Sequence, residues 1–286
     1  AHRAGGRSRS VGAVEQPEGG GDTGGVGDGE WRGRFARGGL GQVIAGVFEQ
    51  QHELQPHGAQ DPGDARTPFL AHASHQLAKE IGARHLVIKT EEMSNPDCRT
   101  NPVNRCYHCK TELYSRLKKV AQQENIFHIL NGTNTDDLGD YRPGLESARE
   151  QGVRSPLVEA QFSKQEVREL SRMMKLSIWN KPAMACLSSR IPYGQPVTPE
   201  KLAMIEQSED LLLALGFTQV RVRHLGTLAR IELDKNEMPR YQNDKSIQKA
   251  VQEKFRSLGF NSVMLDPEGY RMGSLNSALL EHKDHV

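Results

Sequence analysis

From about Ser74 onward, apolar and polar positions recur with periods that predict regular structure. Gln76 to Ile81 reads as a helix that stops at Gly82. His85-Leu86-Val87-Ile88-Lys89 reads as a buried strand. Lys110 to Gln123 carries Leu113, Leu117 and Val120 or Ala121 on one stripe and predicts an amphipathic helix. Phe127-His128-Ile129-Leu130 is the next predicted strand, and it runs into Asn131-Gly132-Thr133-Asn134. Ser163, with Glu166 three residues on, predicts a capped helix through Met174. Strand and helix alternate here, which predicts a parallel α/β sheet. Ligands in such sheets bind beyond the carboxyl ends of strands, and Asn131 to Asp137 occupies such an end.

A second unit begins near Gly194. Thr198-Pro199-Glu200 gives an N-cap with proline at the first helical position, opening a helix to Leu215 that stops at Gly216. Gln219 to His224 and Leu228 to Leu233 read as strands. The first alternates strictly, with Arg221 and Arg223 on one face and Val220 and Val222 on the other. Ser246 to Leu258 reads as a helix and Ser262 to Asp266 as a last strand. The order α-β-β-α-β predicts a small α+β domain, its helices on one side of an antiparallel sheet.

The first seventy residues differ. They hold 17 of the 28 glycines, and Glu18 to Gly29 shows neither helical nor strand period, so it can bury little apolar surface. Only Gln42 to Phe48 reads as a short strand or helix. This Gly/Arg/Pro-rich composition also matches GC-rich DNA read out of frame. We therefore expect residues 1–73 to be disordered or frameshifted, the frame changing near residues 69–74, with a true start missing before Ala1. The formal net charge of +1 gives no electrostatic case for nucleic acid or a membrane surface. No apolar run approaches the roughly 18–20 residues that span a bilayer, so the expectation is a soluble cytoplasmic protein.

Four cysteines remain to be placed. Cys106-Tyr107-His108-Cys109 is a CxxC at a predicted helix start, a spacing that lets two thiolates grip one metal or cluster. Cys186 lies far away, in Ala185-Cys186-Leu187-Ser188-Ser189-Arg190. Three cysteines can hold a [4Fe–4S] cluster and leave one iron open; by residue type alone, a buried apolar Cys186 and a CxxC without metal fit as well. Cys98, in a polar loop, is read as incidental, with a fourth-ligand role left open. Asn131 to Asp137 suits a nucleotide or magnesium at a strand end, or simply a turn of Asx hydrogen bonds. Ser189, Arg190, Arg221 and Arg223 suit phosphate, or an ordinary solvated face. The eleven histidines show no HxH or HExxH pattern.

Taken together, three long segments resemble the LarE family: Asn104 to Tyr114, Asn131 to Gly144, and Trp179 to Gly194. Shorter matching text follows in Val220 to Arg223, Ala229 to Glu232 and Gly269 to Asn276. The resemblance covers roughly residues 74–280. It implies a parallel-sheet, adenine nucleotide alpha hydrolase-like PP-loop ATP pyrophosphatase domain over residues 74–193, N-terminally defective. A small α+β substrate and oligomerisation domain follows over 194–286. It implies an enzyme that uses ATP and Mg2+ to adenylate a carboxylate of pyridinium-3,5-biscarboxylic acid mononucleotide. Sulfur then displaces AMP, giving a thiocarboxylate for the nickel-pincer nucleotide cofactor of lactate racemase.

By the same resemblance, Cys106, Cys109 and Cys186 match the members built for a [4Fe–4S] cluster, and Ala185 stands where other members place a cysteine they sacrifice. Gly132, Thr133, Asn134, Asp136 and Asp137 are implied nucleotide contacts. Ser189, Arg190, Glu209, Arg221, Arg223 and, more weakly, Glu232 are implied contacts to the substrate's phosphate or ribose. A homo-oligomer, with a hexamer as one form, is implied as well. The sequence departs from the family in one motif: no Ser-Gly-Gly-x-Asp-Ser string, the family's phosphate loop, occurs in it. Such a loop cradles pyrophosphate with backbone N–H groups at a helix N-terminus. Alternatives that share the features are a tRNA-thiolating enzyme of the same superfamily, for which the neutral charge is unfavourable, and an inactive remnant without the phosphate loop.

Overall fold

In the computed structural model, the described residues are 74–86, 88, 90–139, 141–181 and 185–271, with the backbone of Val43–Ile44. The expectations for the rest of residues 1–73, and for the segment beyond Arg271, lie outside these residues. Helix boundaries follow local capping chemistry. Residues 74–80 form α1, and the turn after it reaches Gly82 at φ +67°. The short α2, Pro96–Arg99, is capped by the Asn95 side chain, and α3 spans Arg105–Gln123. The helices α4, Pro143–Glu150, and α5, Pro156–Glu159, follow, each with proline in its first turn.

In α6, Lys164–Met173, Ser163 and Glu166 form the full capping box that their spacing predicts. Thr198 caps α7, Pro199–Ala214, by accepting from the Lys201 amide. The helices α8, Met238–Asn243, and α9, Lys245–Ser257, complete the set, Asp244 capping the latter through the Ser246 and Ile247 amides.

The fold is mixed α/β. Strand β1, Val43–Ile44, pairs in parallel with β2, His128–Ile129, and Leu130 bridges in parallel to Arg154. The strand expected over His85–Lys89 does not form at its described positions: His85, Leu86 and Ile88 are non-regular, and Leu86 is exposed. A strand needs a ladder partner for its N–H and C=O groups, and no described strand lies alongside this segment. Ile88 instead packs against Leu113, Tyr114, Leu117, Ala148 and Val153, the core between α3 and α4.

The larger sheet has the order β3-β4-β5, from Val220–Leu225, Leu228–Leu233 and Ser262–Leu265. Strands β3 and β4 form the expected antiparallel hairpin, but β5 runs parallel to β4. The expected all-antiparallel sheet is therefore corrected to a mixed one. The reason is the connection: α8 and α9 carry the chain back along the sheet before β5 begins, as parallel pairing requires.

The alternation of β3 and β4 divides their faces. Val220, Val222, Ala229, Ile231 and Leu233 enter a core with Ile247, Val251 and Phe255 of α9 and Leu212 of α7. Burial of each large apolar side chain there contributes about 1.5–3 kcal/mol. Arg221, Arg223, Arg230 and Glu232 occupy the other face. A third cluster of Ile191, Val197, Leu202 and Ile205, with Met93 and Leu187 against it, seats the loop after Cys186 on α7. No described helix is long and apolar enough to cross a membrane.

Candidate functional site

Cys106 and Cys109 are the second and fifth residues of α3. Their spacing of three residues places both thiols on one helix face. Cys186 stands 77 residues later, immediately before the 3-10 turn Leu187–Arg190. Its carbonyl anchors that turn, accepting from the Ser189 amide at 3.0 Å, the Ser189 hydroxyl at 2.7 Å and Arg190 Nη1 at 3.1 Å. Asn101, fully buried and left-handed at φ 56°, staples the two segments. Its amide Nδ2 donates to the carbonyls of Ile191 and Pro192, and its own carbonyl accepts from Gly194 N–H.

Beside Cys186 and Cys106 lies Arg105, which no pattern in the sequence singles out. Its guanidinium is buried and donates from Nη1 to Asn101 Oδ1 at 2.7 Å and to the Ser188 carbonyl at 2.9 Å. From Nη2 it donates to Cys186 Sγ at 3.7 Å. Burial alone would lower the Arg105 pKa, but the negative potential of Cys186, Cys106 and Cys109 outweighs it and leaves it raised. The thiols respond in turn. Lost hydration and then Cys186 push Cys106 up, with Arg105 pulling back; lost hydration, Glu92 and Cys186 push Cys109 up. Cys98 is buried nearby and is pushed up to about 11, by burial first and then by Glu92. The three cysteines singled out from the sequence thus share one electrostatic neighbourhood, and Cys98 adjoins it through Cys109.

Among the described residues, no three His, Cys, Asp or Glu side chains are grouped to share one metal ion. A cluster of four irons takes its thiolates at separate corners and sets a different demand. Arg105 touches the Cys186 and Cys106 side chains, and thiol sulfur is a soft donor that suits iron–sulfur chemistry better than a hard cation.

The arginine face of the β3–β4 hairpin abuts the same loop. Arg190 donates from Nε and Nη2 to both oxygens of Glu209, at 2.8 and 3.1 Å, and from Nη1 to the Ala185 carbonyl at 2.9 Å. Glu209 also accepts from the Val222 N–H at 2.8 Å, satisfying a backbone donor of β3. Arg223 forms a second fork with Glu232, at 2.7 and 2.9 Å, and donates to the Ser189 carbonyl at 2.6 Å. These ion pairs are almost wholly buried. Four of the residues expected at the substrate's phosphate or ribose therefore pair with one another, and through Ser189 and Ala185 they clamp the Cys186 loop.

Arg221 differs. Its Nη2 donates to the Tyr270 hydroxyl at 3.0 Å and its guanidinium lies 4.5 Å from the centre of that ring. No described carboxylate forms an ion pair with it. Burial first, then the neighbouring Arg190, lowers its pKa from the ordinary arginine value. Its described partner is an aromatic ring and hydroxyl rather than a carboxylate.

The loop Asn131–Asp137 follows β2 as expected and is organised by its own side chains. Asn131 Oδ1 accepts from Thr133 N–H, Asn134 Oδ1 from Asp136 N–H, and Asp137 Oδ2 from Asn134 N–H. Asp137 pairs with Arg142 at 2.8 Å, and Asp136 accepts from the Lys164 amide at 3.2 Å. Gly132 is exposed, and a Cβ there would meet nothing within 4 Å. These bonds run to α6 and to the 142–155 region, not to the Cys186 loop.

No family model matches the chain. Individual relatives do. An uncharacterized protein of Synechocystis is 47% identical over 202 residues, covering 71% of this chain and 75% of that protein. The pyridinium-3,5-bisthiocarboxylic acid mononucleotide synthase of Lactiplantibacillus plantarum is 38% identical over 205 residues, 71% of this chain and 72% of the synthase. An uncharacterized protein of Methanocaldococcus jannaschii is 29% identical over 210 residues, 72% of this chain and 79% of that protein. Fold and comparisons together define the class, a mixed α/β protein akin to a mononucleotide synthase. More particularly, the chain belongs to the LarE family, the family of the Lactiplantibacillus synthase. Its N-terminal region lies outside the match.

Proposed function

We propose that this chain is an ATP-dependent sulfur transferase of nickel-pincer cofactor synthesis. The single observation that carries the reading is the tie between the CxxC helix and the Cys186 loop through buried Arg105, which donates to Cys186 Sγ at 3.7 Å and engages Cys106, beside a face of buried arginines. In the proposed reaction, a carboxylate oxygen of pyridinium-3,5-biscarboxylic acid mononucleotide attacks the α-phosphorus of ATP and pyrophosphate leaves. Hydrosulfide then attacks the carbonyl carbon of the acyl-adenylate, the C–O bond to AMP breaks, and the thiocarboxylic acid loses its proton to water. A carboxylate is a poor acyl donor and AMP is a far better leaving group than oxide, which is why ATP is needed. The product serves the cofactor of lactate racemase.

In this scheme Arg221 binds the substrate phosphate as a bidentate donor. Ser189, Arg190, Glu209, Arg223 and Glu232 shape its pocket, the two Arg–Glu forks holding the Cys186 loop in place. Gly132, Thr133, Asn134, Asp136 and Asp137 line the nucleotide at the end of β2, on a PP-loop domain over 74–193, and residues 194–286 form the substrate and assembly domain of a homo-oligomer. Asp136 and Asp137 already accept hydrogen bonds, so Mg2+ arrives mainly on the ATP phosphates rather than at a preformed carboxylate cage. Cys106, Cys109 and Cys186 would hold a [4Fe–4S] cluster, which when bound supplies an open iron position for exogenous sulfide.

A second reading, a member that keeps the sulfur centre without ATP activation, is favoured by one sequence fact: the absence of the Ser-Gly-Gly-x-Asp-Ser string. Two measurements decide. Anaerobic iron and sulfide analysis should find about four irons per chain in the wild type and a loss in Cys186→Ala; a colourless, iron-free wild type after reconstitution overturns the sulfur centre. Pyrophosphate release with ATP, Mg2+ and the biscarboxylic mononucleotide should proceed for the enzyme; its absence in an iron-loaded chain selects the second reading.

A further inference from the structure

Arg105 is only 5% exposed, although it opens a helix at a position from which a long side chain ordinarily reaches water. It turns inward instead, toward a loop more than 80 residues away. Every donor interaction it makes there joins parts of the sulfur centre: Asn101 Oδ1 at 2.7 Å, the Ser188 carbonyl at 2.9 Å and Cys186 Sγ at 3.7 Å, with the Cys106 thiol also engaged. The buried Arg190 and Arg223 each have a carboxylate fork. Arg105 has no ion pair with a described carboxylate. A buried charge without a counter-charge is costly, and the groups that receive this one are an amide oxygen, a backbone carbonyl and thiol sulfur.

We propose that Arg105 is the positioning residue of the sulfur centre, tying the Cys186 loop to the CxxC helix and setting a fixed positive charge beside sulfur that would be anionic once the thiols ligate a cluster. The inference rests on the reading that Cys106, Cys109 and Cys186 act together. Arg105 is suited to the task by shape as well as charge. Its planar fork reaches an amide oxygen, a carbonyl and a thiol at once, which a lysine ammonium on a flexible stem does not. Arg105→Lys therefore keeps the charge and loses the tie, whereas Arg105→Gln loses both.

The test uses the full chain and three readouts. In the metal-free protein, a short bis-thiosulfonate reagent bridges Cys106 to Cys186, and the bridged peptide is quantified by mass spectrometry. After anaerobic reconstitution with ferrous iron and sulfide, iron per chain and the reduction potential are measured. Thermal midpoints show that each variant is folded. We expect bridging to fall several-fold in both variants. Iron loading should fall several-fold in Arg105→Gln, whose remaining cluster moves to a more negative potential because the reduced, more negative state loses its nearby cation. Arg105→Lys should hold its potential near that of the wild type. Folded variants that bridge, load and titrate like the wild type overturn the role of Arg105 and leave the sulfur centre standing. A wild type that takes no iron overturns the cluster reading, while the bridging yields still decide whether Arg105 positions the thiols.

Discussion

Arg221 and Glu232 face each other directly across the β3–β4 ladder, yet the Glu232 carboxylate reaches diagonally to Arg223. Diagonal neighbours on one face of a hairpin lie within reach of long side chains, and Arg223 also holds the Ser189 carbonyl. Arg221 is left to Tyr270. Adjacent positions on one face thus separate an arginine forked to a carboxylate from one that rests on a tyrosine.

Replacing Arg221 by Met should leave the thermal midpoint unchanged or raised, because a buried charge without a described carboxylate partner is removed. Binding of the pyridinium mononucleotide should weaken by about 1.5–3 kcal/mol, the worth of charged hydrogen bonds, or roughly 10- to 150-fold. Calorimetric titration with the mononucleotide checks both the loss and its size.

Replacing Glu232 by Ala strands Arg223 in the interior and should cost about 3–5 kcal/mol. The double variant Arg223→Met, Glu232→Leu should recover most of that loss, since an apolar pair carries no unpaired charge. Chemical denaturation of the two variants beside the wild type separates a bracing ion pair from a surface one; a loss below about 1 kcal/mol for Glu232→Ala would contradict the burial argument.

Tyr270 is held by its neighbour. Gly269 has φ +66°, and a Cβ there would meet the Leu233 carbonyl at 2.8 Å and Met238 Sδ at 2.9 Å, where the Tyr270 amide donates to the same Leu233 carbonyl. Gly269→Ala should destabilise by about 1–3 kcal/mol and also weaken mononucleotide binding by shifting the ring beneath Arg221. Binding that stays at the wild-type level in a folded Gly269→Ala chain would show that the ring does not place the guanidinium.

His224 is buried against Phe260, ring centres 5.3 Å apart. Burial first, and then the nearby Lys201, hold its pKa below the ordinary value of 6.5. The unfolded chain therefore takes up the proton first. Stability should be full above about pH 6.5 and decline as pH falls through that value toward the depressed folded pKa. His224→Phe should flatten this part of the profile, measured as the difference between denaturation curves of the two proteins from pH 5 to 8.

Ser163→Ala removes half of a capping box and should cost about 1 kcal/mol. No residue of α6 is fully buried, so the loss should appear as faster amide exchange over Lys164–Met173 rather than across the β3–β5 sheet.

Features written in neighbouring residues were legible along the chain. Ser163 with Glu166, Thr198 with Pro199, and Gly82 and Gly216 bounded their helices, because a cap is a contract between a side chain and a backbone group two or three residues away. The period-two pattern of Val220 to Arg223 placed apolar and basic faces before any partner strand was known, and CxxC set two thiols on one turn. Contacts between distant segments came from the folded arrangement. His85 to Lys89 has a strand's composition, but a ladder requires a neighbour, which no local pattern supplies. The direction of β5 followed from where α8 and α9 returned the chain. Arg190 and Arg223 looked as free as Arg221 until the fold brought Glu209 and Glu232 to them, 19 and 9 residues away. Arg105 carried no signal at all beyond standing next to Cys106. Its meaning lies in the desolvation of a charge, which exists only once the Cys186 loop has closed over it.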